Sequence, residues 1–506
     1  MGMTRERIRT RIRRRGRAAS GAALAMAAAA ACLTTAACDV PHQAFITDEQ
    51  GRALVLHGSN LSSASKSDPD RLPSWLTRDD ALRLSRDWGF NFVRYLIFWD
   101  AVEPAPGDID EAYLDAVAVY LDWLHEAGVR VVIDMHQDVY SSVFCCDGAP
   151  AWAVRDDGLP FDPQPVWFAN YFQPAVMRAW DNFWDADGPH ADLQEHFTAA
   201  WAAVAARFRD HPAVLGYDIL NEPSPGTAFD ILNTPTGPMP AFERDRYAPF
   251  LQRVIDAIRA EDSDAWIFFE PTVSMPAAGL PTYLPKLADP RAGEPRLAYF
   301  PHLYSPSLET GGGYNPQFDR TVPDWDTERR KELLRHQAPM LIGEFGATDA
   351  PPGSLDYLAD VLDMADEITS GWTVWDYQPV TGGYSFIDGA KNEKPGKLDL
   401  LVRGYPRAVA GKLVWYDWVS EEKLLLVYYR EAPGVTGPTE LAVPATRHYP
   451  GGFEVHSSDR DGSWSWSFDP DREIVTVEAD PDASGHLVSV VPAGWMPPSG
   501  AGSALR

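Results

Sequence analysis

A chain of 506 residues exceeds what one hydrophobic core organises, since single cores stop growing at roughly 250–300 residues, so a large domain with a smaller companion is expected. A formal charge of −28 excludes nucleic acid as a partner, because phosphate backbones are bound by clustered Lys and Arg rather than by a field of carboxylates. Aromatic residues make up 12% of the chain, an excess that suits flat apolar surfaces stacking on sugar rings and equally suits a large core.

Residues 1–37 read as an export signal: the basic stretch "RERIRTRIRRRGR", the apolar stretch "GAALAMAAAAACL", then the small residues "TTAAC". The apolar run is too short to span a bilayer. Cys38, after Ala36 and Ala37, stands where a bacterial lipoprotein carries its lipid-accepting cysteine. Lipidation at Cys38 and simple cleavage with release are both open, and either places the mature protein, expected as a monomer, outside the cell. Cys145 and Cys146 in "FCCDG" are expected as two free thiols rather than as a vicinal disulfide. No metal-ligand spacing occurs, so neither a metal nor another cofactor is expected in the reaction.

From about residue 50 to 400, β-branched and aromatic runs alternate with amphipathic stretches, the signature of βα units and a parallel sheet. Strands are expected at "RALVLHG", "FNFVRYLI", "VRVVIDMH", "AVLGYDILN", "WIFFEP", "RLAYFPHLY", "PMLIGEFG" and "GWTVWDY". Between them, "TRDDALRLSRDWG" opens a helix on Thr77 with Asp80 three residues on, a capping arrangement, and closes on Gly89; "DEAYLDAVAVYLDWLHEAG" closes on Gly128. Eight strands in this alternation predict a (β/α)8 TIM barrel over residues 38–410. After "YPRAVAG" the pattern changes to short alternating strands, "KLLLVYYR", "TELAVPA", "GGFEVHSS", "SWSWSFD", "EIVTVEAD" and "HLVSVVPAG", which predict a β-sandwich over 411–494 docked on the barrel. Residues 495–506 read as a flexible tail.

In a (β/α)8 barrel the C-terminal strand ends form the active site. Glu222 ends the expected fourth strand and Glu344 the seventh. A lone strand-end glutamate is often a cap or an ion-pair partner, but two on opposed strands supply what a retaining glycosidase needs, a nucleophile and a general acid about 5–5.5 Å apart. Other strand ends carry Arg94, His136, Asn221, His302, Tyr304 and Trp375. Arg94 and Tyr304 can keep the nucleophile ionised and aligned, Asn221 can bind the sugar 2-hydroxyl, and Trp375 offers a platform under the ring.

These eight residues resemble the active-site pattern of glycoside hydrolase family five, in the clan whose acid/base follows Asn on strand four and whose nucleophile sits on strand seven. The resemblance implies Glu222 as acid/base, Glu344 as nucleophile and retention of configuration. A narrower resemblance spans most of the mature chain: "SSASKSDPD", "NFVRYLIFWDAVEPAPG", "DMHQDVYS", "GAPAWA", "QPAVMRAWDNFW", "DPRAGEPRLAYFPHLY" and "YPRAVAG" are similar to segments of the bacterial endoglycoceramidases. Those enzymes cut the β-bond between the glycan of a glycosphingolipid and its ceramide, which implies a glycosphingolipid substrate, peripheral contact with membranes or micelles, and Lys66 and Asp138 at the first sugar. The chain departs from that family around "FCCDG", and "WDYQPVTGGYSF" is one of the segments that shape the first-sugar site, so glucose and galactose both stand as that sugar.

An insertion after strand three carries Trp167, Phe168, Tyr171, Phe172, Trp180, Phe183 and Trp184. Packing of the insertion accounts for about half of these, and the rest could line a groove for the acyl and sphingoid chains. Two other readings compete: a family-five β-glucanase or β-glucosidase, which would want an open Trp-lined groove, and a non-catalytic glycan- or lipid-binding surface protein, which has no use for both Glu222 and Glu344.

Overall fold

The structure, a computed structural model, describes residues 44–273 and 276–496; the expected signal, Cys38 and the tail from residue 497 lie outside the described residues. Eight strands, β1 (Leu56–Leu61), β2 (Phe92–Phe98), β3 (Arg130–His136), β4 (Val214–Asp218), β5 (Trp266–Phe269), β6 (Leu297–Tyr299), β7 (Ile342–Phe345) and β8 (Gly371–Val374), pair in parallel in the order β6-β5-β4-β3-β2-β1-β8-β7. Parallel bridges Tyr299–Met340 and Leu303–Phe345 join the two ends and close the barrel. The central strands are apolar almost without interruption because both faces are covered, as in β2, where every residue is buried. The first expected helix forms at Arg78–Arg86, and its capping box is present: Thr77 Oγ1 accepts from Asp80 N–H while Asp80 Oδ2 accepts from Thr77 N–H.

The floor of the barrel is apolar. Leu56, Phe92, Val132, Phe268, Phe300 and Leu341 fill it, and Ile46, Leu54 and Ala408 plug it from below. The run "RALVLHG" therefore divides: Ala53–Leu54 belongs to another sheet, and β1 starts at Leu56.

That other sheet is half of the sandwich. Its six strands are Ile46–Thr47, Ala53–Leu54, β9 (Tyr405–Val409), β12 (Thr439–Ala442), β15 (Ile474–Glu478) and β14 (Ser465–Asp469) in spatial order; β10 (Lys412–Val419), β11 (Leu424–Arg430), β16 (Gly485–Pro492) and β13 (Phe453–Ser457) form the second. The expected boundary at residues 410 and 411 thus leaves β9 on the wrong side, and the N-terminal hairpin joins the sandwich as well. β10 is a further strand absent from the expected set. Leu413, Val414, Trp415 and Tyr416 are buried in succession: Leu413 and Tyr416 pack into the sandwich core, Val414 and Trp415 join a second cluster with Leu424, Leu426 and Leu487, and a register shift between Leu413 and Trp415 breaks the alternation.

Between the domains, Tyr416 Oη donates to Asp366 at 2.9 Å, Arg403 pairs with Asp366 at 2.8 Å, and Tyr405 Oη donates to the Gly89 carbonyl at 2.7 Å. Cys145 and Cys146, expected as free thiols, are joined in a disulfide. The loop after β3 that carries them doubles back through the Asp138–Asp147 bridge and the Ala149 N–H to Tyr140 carbonyl bond.

Removal of everything after Gly411 would uncover the apolar faces of β9 and of the N-terminal hairpin. The truncated chain is expected in the insoluble fraction, and a soluble, monodisperse barrel by gel filtration would overturn this account of the docking.

Candidate active site

Arg94, at the middle of β2, is fully buried, and its guanidinium lies among four carboxylates carried by different strands. It pairs with Asp134 on β3 at 2.9 Å, Asp218 on β4 at 2.8 Å, Glu270 after β5 at 2.8 Å and Glu344 on β7 at 2.8 Å. The fork also reaches the amide oxygens of Asn60 at 3.1 Å and Asn221 at 2.9 Å. One cation shared by four buried carboxyls cannot keep all of them ionised. Burial lifts Glu344 above the usual carboxylate range, with His302 and Arg94 pulling it back, and burial drives Asp134 well above that range.

Glu222 and Glu344 face each other at the C-terminal mouth. An oxygen of each lies within 4.8 Å of the other, and His302 sits in the same cluster. Glu344 Oε2 accepts from Tyr304 Oη at 2.9 Å, so both its oxygens are held, one by Arg94 and one by Tyr304. Glu222 has φ +41°, left-handed for a residue with a β-carbon. Its Oε1 lies 2.8 Å from His302 Nδ1. Burial opposes a charge on His302, but Glu270 and Glu344 outweigh burial and raise its pKa well above the ordinary value.

Beside Glu344, His136 and Trp375 stack with centroids 5.6 Å apart. Burial, reinforced by Lys66, keeps His136 neutral, with Nδ1 2.7 Å from Asp134. Lys66, in the turn after β1, pairs with Asp138 at 2.5 Å and lies 4.3 Å from the Trp375 ring centroid. Asn221 Nδ2 donates to the Gln137 carbonyl at 2.9 Å, which leaves one of its two N–H groups for a ligand. All ten residues singled out in the sequence therefore converge on one mouth: a pair of facing carboxyls, a neutral imidazole, a stacked indole and a charged Lys–Asp pair, which together can grip a sugar ring and attack it.

Residues 47–380 match the family described as Cellulase (glycosyl hydrolase family 5), and residues 403–491 match the glycoside hydrolase family 5 C-terminal domain. The chain belongs to glycosyl hydrolase family 5. This family-5 chain is 32% identical to endoglycoceramidase I of Rhodococcus hoagii (strain 103S), over 88% of this chain and 86% of that one. It is similar in structure to the ganglioside GM3 complex of endo-glycoceramidase II from Rhodococcus sp., with TM-score 0.81 and 36% identity over 89% of this chain and all (100%) of that one. The lactosyl-enzyme intermediate of the same protein superposes with TM-score 0.79 at 37% identity, covering 89% of this chain and 100% of that chain. An endogalactoceramidase structure is more distant, with TM-score 0.66 and 25% identity over 90% and 99% of the two chains. The protein is an O-glycosyl hydrolase.

Five further residues hold this family-5 site together without having been singled out: Asn60, Asp134, Gln137, Asp218 and Glu270. Asp134 and Asp218 left a signal, a carboxylate inside an otherwise apolar strand. Gln137 Nε2 donates to the carbonyls of Asn221 at 2.7 Å and Glu222 at 2.9 Å, a role that its place in "DMHQDVYS" does not announce.

Arg94→Met would leave four buried carboxyls without their common cation. Breaking such pairing costs about 3–5 kcal/mol, so the variant is expected to unfold at clearly lower denaturant and to lose turnover. Parental stability in urea would show that the cluster does not depend on the guanidinium.

Proposed function

We propose that the chain is a retaining endo-glycosidase that separates the oligosaccharide from the ceramide of glycosphingolipids by double displacement. The observation that carries this is the two-sidedness of the mouth. On the Glu344 side lie Lys66, Asp138, His136 and Trp375, polar and stacking groups suited to sugar. On the Glu222 side, Gln137 touches both the Glu222 carbonyl and Tyr171 Oη, the latter at 3.3 Å, so the aromatic insertion adjoins the acid/base. A leaving group departs on the acid/base side, and there the surface is apolar.

The insertion divides by burial. Tyr171, Trp180, Phe183 and Trp184 are core, whereas Trp167 is 46% and Phe172 42% exposed. Phe172 meets Phe229 edge to face at 4.8 Å, and just beyond Phe229 Ile231 and Leu232 are 65% and 69% exposed. An apolar rim of this kind suits two lipid chains and contact with a micelle or membrane better than the open Trp-lined groove of a glucanase. On the sugar side a groove of about 870 Å³, lined by Lys66, Arg71, Asp100, Tyr113, Cys145 and Cys146 among others, has room for sugars beyond the first. The greater likeness to the lactosyl-bound enzyme than to the endogalactoceramidase favours glucose as the first sugar.

In the first step an oxygen of Glu344 attacks the anomeric carbon while Glu222 gives its proton to the departing ceramide oxygen. Glu222, now a carboxylate, takes a proton from water, whose oxygen displaces Glu344 and frees the sugar. Arg94 and Tyr304 hold the attacking carboxylate in line, and the remaining N–H of Asn221 is placed for the 2-hydroxyl.

Glu344→Gln is expected to abolish ceramide release while circular dichroism stays unchanged, and near-parental activity of a clean preparation would refute the nucleophile. Glu222→Ala is expected to retain glycosylation only with an activated aryl leaving group and to regain the second step on addition of azide; loss on both substrate types alike would refute the acid/base. For the lipid rim, burial at about 25 cal/mol per Å² over roughly 100 Å² puts up to ~2.5 kcal/mol on one large contact. Trp167→Ala and Phe172→Ala are expected to lose efficiency on glycosylceramide but not on a soluble aryl glycoside. Equal loss on both, or none, would place the ceramide elsewhere.

A further inference from the structure

Glu270 has no part in the two-carboxylate reaction just given, yet it lies at its centre, with a side chain only 1% exposed. Its Oε2 accepts the main-chain N–H of Glu222 at 2.9 Å. Its Oε1 accepts from Arg94 at 2.8 Å and lies 3.2 Å from Nε2 of His302, whose other nitrogen faces Glu222. The Nε2 contact is close but not aligned as a hydrogen bond. We propose that Glu270 is a positioning residue for the acid/base: one carboxyl fixes the left-handed main chain of Glu222 and, through His302, keeps a proton on the Glu222–His302 pair. This rests on the reading of Glu222 as acid/base.

The conformational half follows from the backbone. A φ of +41° at a glutamate persists only where its surroundings over-determine it. Here the N–H is held by Glu270 and the carbonyl by Gln137, so the peptide groups on both sides of the Glu222 α-carbon are anchored and its side chain is aimed at the mouth.

The electrostatic half follows from what surrounds the carboxyl. Arg94, Asp134, Asp218 and His302 face it from the barrel, and Tyr247, just before the helix Ala248–Glu261, donates to its main-chain oxygen at 2.8 Å. Burial pushes Glu270 up to about 8; Asp218 adds to this, and His302 and Arg94 act against it. Its negative charge therefore develops as the pH rises through that value, where a general acid would otherwise be losing its proton, and a carboxylate at Nε2 raises the proton affinity of the imidazole. A proton on either member of the pair serves catalysis. A proton on His302 first passes from Nδ1 to Glu222 Oε1; the Glu222 O–H bond then breaks as the O–H bond at the leaving oxygen forms, and Glu222 ends the step as the carboxylate that the second displacement needs.

The test is Glu270→Gln, which keeps the shape and an oxygen for the Glu222 N–H but never acquires charge. Catalytic efficiency is followed against pH on glycosylceramide, which needs protonation, and on an aryl glycoside with an activated leaving group, which does not. The alkaline limb for glycosylceramide is expected to move down by about one unit, roughly tenfold in rate on that limb, while the aryl glycoside keeps its profile. Glu270→Asp, which restores a carboxylate at a shorter reach, is expected to return the limb towards the parent even where its overall rate is lower. An unmoved limb in Glu270→Gln, or an equal loss on both substrates at every pH, would overturn the proposal. If Glu222→Ala is rescued by azide on the activated substrate while the limb is unmoved, this inference alone falls; if it is not rescued, the acid/base reading falls and takes this inference with it.

Discussion

One guanidinium holds the catalytic end of this barrel together. Arg94 meets carboxylates carried by or next to β3, β4, β5 and β7, so five strands, its own included, are tied through one group that cannot lose its charge. Four buried carboxyls without it would repel one another and protonate or hydrate. With it they become a fixed electrostatic frame, and Glu344, one of the four, is oriented by the same contact that stabilises the fold. The sharing also has a chemical effect. Because Arg94 serves four carboxyls, Glu344 is less strongly held in its charged form than a private ion pair would hold it, which keeps the carboxylate a usable nucleophile.

The mouth built on this frame is asymmetric, and the asymmetry comes from loops rather than from the barrel. The turn after β1 and the loop after β3 bring Lys66 and Asp138 to the sugar side, while the later part of that same β3 connection carries the aromatic insertion round to the acid/base side. A single long excursion thus contributes to both halves of an amphiphile's binding site. That arrangement suits a substrate whose two halves differ as sharply in polarity as glycan and lipid.

Much of this was legible in the sequence. Barrel strands buried on both faces read as unbroken apolar runs, and a polar residue that ends such a run has to face the mouth, so His136, Glu222, His302 and Glu344 stood out by position; Arg94, expected at a strand end, lies inside β2 instead and stands out as a charge within an apolar run. Glu270 ends its run in the same way, in "WIFFEP", but had no partner in a two-carboxylate scheme to draw attention to it. Other features leave no local trace. The aromatics of the insertion are alike in sequence, and only packing divides Trp180 from Trp167. β10 lacks alternation because a register shift falls within it and both its faces are covered. The pairing of Cys145 with Cys146 is another, since adjacency in the sequence does not decide whether two thiols are joined.

The N-terminal hairpin carries a consequence for the order of events during folding. Ala53 pairs with Val409, and Ile46 and Leu54 close the barrel floor beside Ala408, so the earliest described segment finds its partner only when nearly the whole barrel has been synthesised. Contacts so distant along the chain must await closure of a very long loop, and their entropy cost is met only once the barrel between them exists. The ends of the barrel are in this sense stitched last. Until then the apolar floor is open to solvent, and an emerging polypeptide has a strong reason to remain uncommitted until its C-terminal third is available.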